Sequence, residues 1–336
     1  MDTIGFSGQL TGRLVGFCWD EWAQMGVLAQ TTRASRWATD PEALIVFTLE
    51  IARADPRLFD EVLDWTLLNE GLLSIRRLRA MCTSDADRML VDATIRWLAS
   101  ERPRARLRPP APTETTPPAE PLFHGGGPIR DADPNFAAAG LLRPTLQPSE
   151  KSSVPDLMAP INLSLRLRAV LGVGIRAEVV RVMVGSGTPR MTAQALAKTV
   201  GYAKRNVHDA LAGLTAAQVL DGFTIGGEQR YAIDKNVWGS FLQIAPDELP
   251  VHLDWPQLFG ALRSILRWSG EQTQTTKSAY LLASGARQLL DRIAPELAFA
   301  GIPSQRRATA SFALEELQRV TNSLLSALDL EPIAPS

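Results

Sequence analysis

Apolar residues recur along this chain at two different periods. Over roughly the first hundred residues, and again from about 254 to 328, they return every three to four positions, the spacing of a helix that buries one face. Leu44, Phe47, Thr48 and Ile51 make one such stripe, and Phe59, Val62, Leu63 and Leu67 make the next. Asp40-Pro41-Glu42 and Asp55-Pro56 supply helix starts, because aspartate accepts the first free amides and proline needs no amide partner there. Gly71 breaks the second helix. Ser74 can cap a third, SIRRLRAMC, which presents Arg76, Arg77 and Arg79. With QLTGRLVGFCWDEWAQMGV before and DADRMLVDATIRWLA after, residues 1–101 predict a domain of about five helices and no strand. Leu258, Leu262, Ile265 and Leu266, then Leu281, Leu282, Leu289, Leu290 and Ile293, then Phe312, Leu314, Leu317, Val320 and Leu324 predict a C-terminal helical bundle over 241–331.

The periodicity lapses at 102–160. RPRARLRPPAPTETTPPAEP and HGGGPIRDADPNF hold too few spaced apolar residues for a continuous buried face, so they read as a Pro/Gly-rich flexible linker.

Between 161 and 240 the period changes within a short distance. Ile175, Val179, Val180 and Val182 to Val184 form a short helix stopped by Gly185-Ser186-Gly187. Thr192 caps a second, with Leu196, Ala197 and Val200 inside and Gly201 at its end. A third runs from about Ala203, burying Val207, Ala210, Leu211 and Leu214 at i, i+3, i+4 and i+7. Val219, Phe223 and Ile225 then alternate, Gly226-Gly227 turns the chain, and Gln229, Tyr231 and Ile233 alternate back as a hairpin.

TAQALAKTVGYAKRNVHDALAGLTAAQVLDGFTIGGEQRYAI, taken with the helix before it, resembles the winged helix-turn-helix transcriptional regulators of bacteria, of the ArsR and MarR sort, over residues of about 175–235. The resemblance implies a mainly α protein with a central winged helix and a small β wing. It implies that double-stranded DNA is the partner and that a homodimer reads two half-sites about one DNA turn apart. The start of the third helix then enters the major groove. Arg205 suits a guanine edge and Asn206 an adenine edge. Tyr202 and Lys204 face phosphates, and His208 lies one turn further in. Thr192 caps the supporting helix, and Arg230 stands on the wing. Ala203 occupies the cap position of the reading helix and offers no side-chain acceptor, so a DNA phosphate is the expected substitute.

Net charge is −1, which hides an asymmetry. Residues 1–100 hold 10 basic and 14 acidic side chains, 101–160 hold 7 and 7, 161–240 hold 10 and 5, and 241–336 hold 8 and 10. The only segment with a basic excess is the one that resembles a DNA reader. Residues 57–82 also follow the helix, break and Arg-bearing helix of a helix-turn-helix, but such joints are common in any all-α domain and a bundle with solvated arginines is the plainer reading. Acidic clusters at Asp20-Glu21 and Asp60-Glu61-Asp64 read as solvated faces.

Catalytic chemistry is not expected. GVGIRA at 172–177 lacks the strand and the later acid of a dinucleotide site. Cys18 and Cys82 are isolated and there are three histidines, so neither a metal nor a cofactor is expected. Five tryptophans before residue 100 read as core packing. No run reaches the roughly 18 apolar residues of a membrane helix, and the N-terminus lacks a secretory pattern, so a cytoplasmic regulator is expected. Two other functions fit the same residues. One is an antitoxin-like autoregulator of the AbiE type that neutralises a partner toxin. The other is a winged-helix adaptor that binds protein alone.

Overall fold

Asp40, Asp55 and Ser74 cap helices at the positions their sequence context predicts. In the computed structural model, which describes residues 3–31, 33–102, 119–125, 127, 129–273, 278–303 and 312–333, Asp40 accepts from the Ala43 amide and starts α2 (Pro41–Ile51). Asp55 accepts from Leu58 and starts α3 (Pro56–Asn69). Ser74 accepts from Arg77 and starts α4 (Ile75–Ala80). A reciprocal Ser84–Asp87 cap starts α5 (Asp85–Glu101). With α1 (Thr3–Gln24) these are the α-helices among the described residues of the first hundred.

Among the described residues the chain is mainly helical with two small sheets. The C-terminal helices α12 (Trp255–Thr273), α13 (Ala279–Phe299) and α14 (Ala313–Ala327) follow the predicted stripes. They do not form a core of their own. α12 lies against α1 and α2. Phe259 stacks on Phe47 at 4.0 Å, and Trp255 meets Trp37 edge-on at 5.6 Å. One cluster of buried residues runs from Phe6 through Leu98 and on from Trp255 to Ile333. The core thus crosses the boundaries read at 101 and 241. An apolar stripe shows that a helix has a partner, and it does not say which one. Arg263 and Arg267 of α12 reinforce the joint by pairing with Glu50 and Asp87.

Residues 119–160 are a correction to the expected tether, whose residues 103–118 lie outside the described residues. β1 (Glu120–Pro121) pairs in parallel with β2 (Leu141–Leu142), and Asp133 caps the short α6 (Pro134–Ala137). Leu122, Phe136 and Leu141 are buried in the main core. Arg143 is buried among the rings of Phe59, Phe123 and Phe136, and pairs with Asp60 at 2.7 Å. A few well-placed anchors suffice to fix a segment without periodic pattern.

A second core is formed by residues 163–249 together with Ala38. It contains α7 (Leu163–Leu171), α8 (Ile175–Gly185), α9 (Ala193–Val200), α10 (Lys204–Ala216) and α11 (Lys235–Leu242). β3 (Met191–Thr192), β4 (Asp221–Ile225) and β5 (Glu228–Ala232) form an antiparallel sheet in the order β3-β5-β4. Gly226 and Gly227 both have positive φ, 58° and 79°, as the two-residue turn between β4 and β5 requires. Val219 and Ile233 fall outside the strands, and Phe223 and Ile225 are exposed rather than packed inward. Among the described residues no helix is long and apolar enough to cross a membrane.

The expected solvated acids also need correction. Glu21 is buried and accepts from Ser35, Trp37 and Thr39, and Glu61 and Asp64 are buried too. Burial pushes the Glu21 carboxyl up, and those three donors only partly offset it. The tryptophans behave as core: Trp22, Trp37, Trp65 and Trp97 are buried.

Candidate nucleic-acid interface

α10 is the helix around which the candidate interface is built. Val207, Ala210, Leu211 and Leu214 are its buried residues, as their spacing predicts. Gly201, at φ 71°, ends α9 in the left-handed conformation and turns the chain toward α10. Ala203 holds the cap position with no side-chain hydrogen bond. Lys204, Arg205, Asn206 and His208 are all exposed. Among the described residues, none of the four makes an ion pair or a side-chain hydrogen bond.

The four do not share one direction. Asn206 and Asp209 line a cleft of about 400 Å³ together with Gly172, Gly174 and Arg176. Asn206 therefore stands on the flank of α10 that borders the loop before α8. Thr192 is committed to α9: its hydroxyl accepts from the Ala195 amide at 3.1 Å. Opposite Thr192 in the sheet stands Arg230, which pairs with Glu228 at 2.9 Å.

Tyr202 is placed differently from its expected role at a phosphate. It is half-buried, close to Ser74 at the start of α4. The guanidinium of Arg76 lies 5.7 Å from its ring centroid. Burial pushes the phenol up. The ring acts as a spacer between the two cores.

Beneath that spacer lies the feature that sequence reading missed. Asp40 and Glu42 of the α2 start, Arg77 of α4, Arg168 of α7, and Glu178 and Arg181 of α8 meet as a buried ion network. Arg168 is fully buried and bridges Glu42 and Glu178 at 2.6 Å each. Arg77 pairs with Asp40, and reaches Glu178 at 2.7 Å and Glu42 at 3.3 Å. Arg181 reaches Asp40 at 3.3 Å and Glu178 at 3.1 Å. Burial alone would push Glu178 up, but Arg168, Arg77 and Arg181 outweigh it and hold the carboxyl well below its usual range. His252 touches the rim, with Nδ1 3.4 Å from Arg181. Burial first, then Arg181, pushes its imidazole down to about 3. The three carboxylates and three guanidinium groups balance, and a buried charge is tolerable only when paired in this way. The one signal in the sequence is three arginines on a helix that needs only a short solvated edge.

The network also changes the meaning of the basic excess. Arg168 and Arg181 are spent on Asp40, Glu42 and Glu178. With those two and Glu178 set aside, residues 161–240 keep eight basic and four acidic side chains. The outer face therefore remains positive. Among the described residues, no group of three or more His, Cys, Asp or Glu is arranged to hold a metal. Both cysteines are free thiols. Comparison with protein-family models, with curated proteins and with solved structures found no match.

Proposed function

We propose that this protein is a sequence-specific DNA-binding transcriptional regulator whose residues 161–240 act as a winged helix. The observation that carries the reading is the exposed start of α10, where Lys204, Arg205 and His208 extend outward from a helix anchored by its own apolar stripe. The order α8, β3, α9, α10, β4, β5 supports it, with the β4–β5 hairpin in the position of a wing. Arg205 is the base-reading residue, and Lys204 contacts phosphate. Asn206 reaches a base only at the edge facing the loop 172–176. A second copy doubles the reading helix on a palindromic site.

The test is a salt-dependent gel shift of the protein on its own promoter, with Arg205→Ala and Asn206→Ala beside the wild type. Binding that weakens with salt and loses sequence preference on Arg205→Ala supports the reading. Absent binding, or binding that neither salt nor these substitutions alters, favours a protein-binding adaptor. That second reading has its own support in Phe223, Ile225, Val237 and Phe241, apolar side chains left exposed on the same segment.

A further inference from the structure

α4 turns two neighbouring arginines in opposite directions. Arg77 is buried in the ion network. Arg76 is exposed, lies over Tyr202, and makes no ion pair among the described residues. Of the other exposed arginines on the N-terminal helices, Arg79 pairs with Asp92 and Arg88 with Asp85, while Arg57 lies over Trp19. Tyr202 stands two residues before Lys204. Through Tyr202, exposed Arg76 of the first core stands near the start of α10, where Lys204 and Arg205 are also exposed, and among the described residues no carboxylate pairs with any of the three. Grouped like charges repel one another, and a polyanion relieves that repulsion.

We infer that Arg76 contacts a backbone phosphate of the same duplex that α10 reads, so the DNA interface extends from residues 161–240 onto α4. This rests on the DNA reading above. The contact is built on a rigid element. Ser74 caps α4, Arg77 ties it into the network beside α8, and Tyr202 supports the Arg76 guanidinium from below. A cation held in this way meets the phosphate row that flanks the groove, at a fixed offset from the reading helix. It adds affinity and orientation without reading sequence.

The experiment measures binding of the full chain to a fluorescent mixed-sequence duplex of about 30 base pairs across a salt series. Arg76→Gln should weaken binding roughly threefold to tenfold and flatten the plot of log affinity against log salt by about 0.9, one phosphate contact. Arg76→Lys should keep the wild-type slope, and neither variant should move the thermal midpoint. If the wild type binds and Arg76→Gln leaves affinity and slope unchanged, the α4 contact is overturned while the DNA reading stands. Weaker binding at an unchanged slope also overturns it, because the arginine then acts through structure. A wild type that binds no duplex at low salt overturns both.

Discussion

α4 and α10 begin alike and end up opposite. Each follows a tight turn, and each opens with a run of basic residues, Arg76-Arg77 in one and Lys204-Arg205 in the other. In α4 the second arginine is buried among three carboxylates, whereas both basic residues of α10 are exposed and unpaired among the described residues. Local sequence does not separate the two cases. The acids that capture Arg77 lie at positions 40, 42 and 178, far away along the chain. Whether a basic helix start is glue or surface is decided by which carboxylates the fold brings to it.

The contrast is sharpest when an inward arginine is removed. Arg77→Ala leaves three carboxylates facing two arginines, and should cost about 3–5 kcal/mol in urea unfolding, the range for breaking a buried pair. A loss below 1 kcal/mol would mean that water reaches the network. Arg205→Ala should shift stability by no more than about 0.5 kcal/mol. Its effect should appear in DNA binding, as about 1–3 kcal/mol of lost discrimination in competition against altered promoter duplexes.

Acid tests the rim of the network. His252 is held down to about 3 from an ordinary 6.5, so the unfolded chain takes up this proton first. Stability is therefore lost as pH falls below about 6.5. Asp254 works in the other direction. Burial pushes its carboxyl up to about 6 from 3.8, so the folded chain binds that proton first and gains stability between about pH 6 and 4. The two partly cancel in the wild type. His252→Asn removes only the first, and should shift the stability change between pH 7 and pH 5 by about 1–2 kcal/mol in the stabilising direction. Equal acid sensitivity of variant and wild type in urea titrations at both pH values would contradict this assignment.

The smallest change probes the outward helix. Ala203→Ser supplies the missing cap, and should stabilise the free protein by about 1 kcal/mol. DNA affinity should not rise, because the new hydroxyl competes with a phosphate for the same amides. Tighter binding by this variant in the gel shift would remove that account of the bare cap.

Much of the local structure was legible. Asp40, Asp55 and Ser74 announce their helices, Gly201 its turn and Gly226-Gly227 the hairpin, because each acts on amides or dihedrals within a few residues. Val207, Leu211 and Leu214 give the buried side of α10 for the same reason. What escaped depends on distant partners. The stripe of α12 says nothing of α1 and α2. Leu122, Phe136 and Leu141 look like loop residues until the main core is beside them. Glu21 and Arg77 carry charge, so they read as surface until the donors and acceptors that satisfy them are in place. The contact of Tyr202 with Arg76 was hidden on the same ground, since Arg76 lies 126 positions earlier.

Segment 36–39 receives both ends of the excursion made by residues 163–249. The Thr39 amide bonds to the Ile161 carbonyl on the way out, and the Ala38 amide bonds to the Val251 carbonyl on the way back. The consequence lies in the order of synthesis. When the ribosome has released residue 250, the second core holds all of its own apolar residues and can close. The first core still lacks α12, α13 and α14, so α1 and α2 must wait with Phe17, Phe47 and Trp37 uncovered. The second core is finished before its support, and a chain cut short after residue 250 carries a closed second core on an open, sticky base.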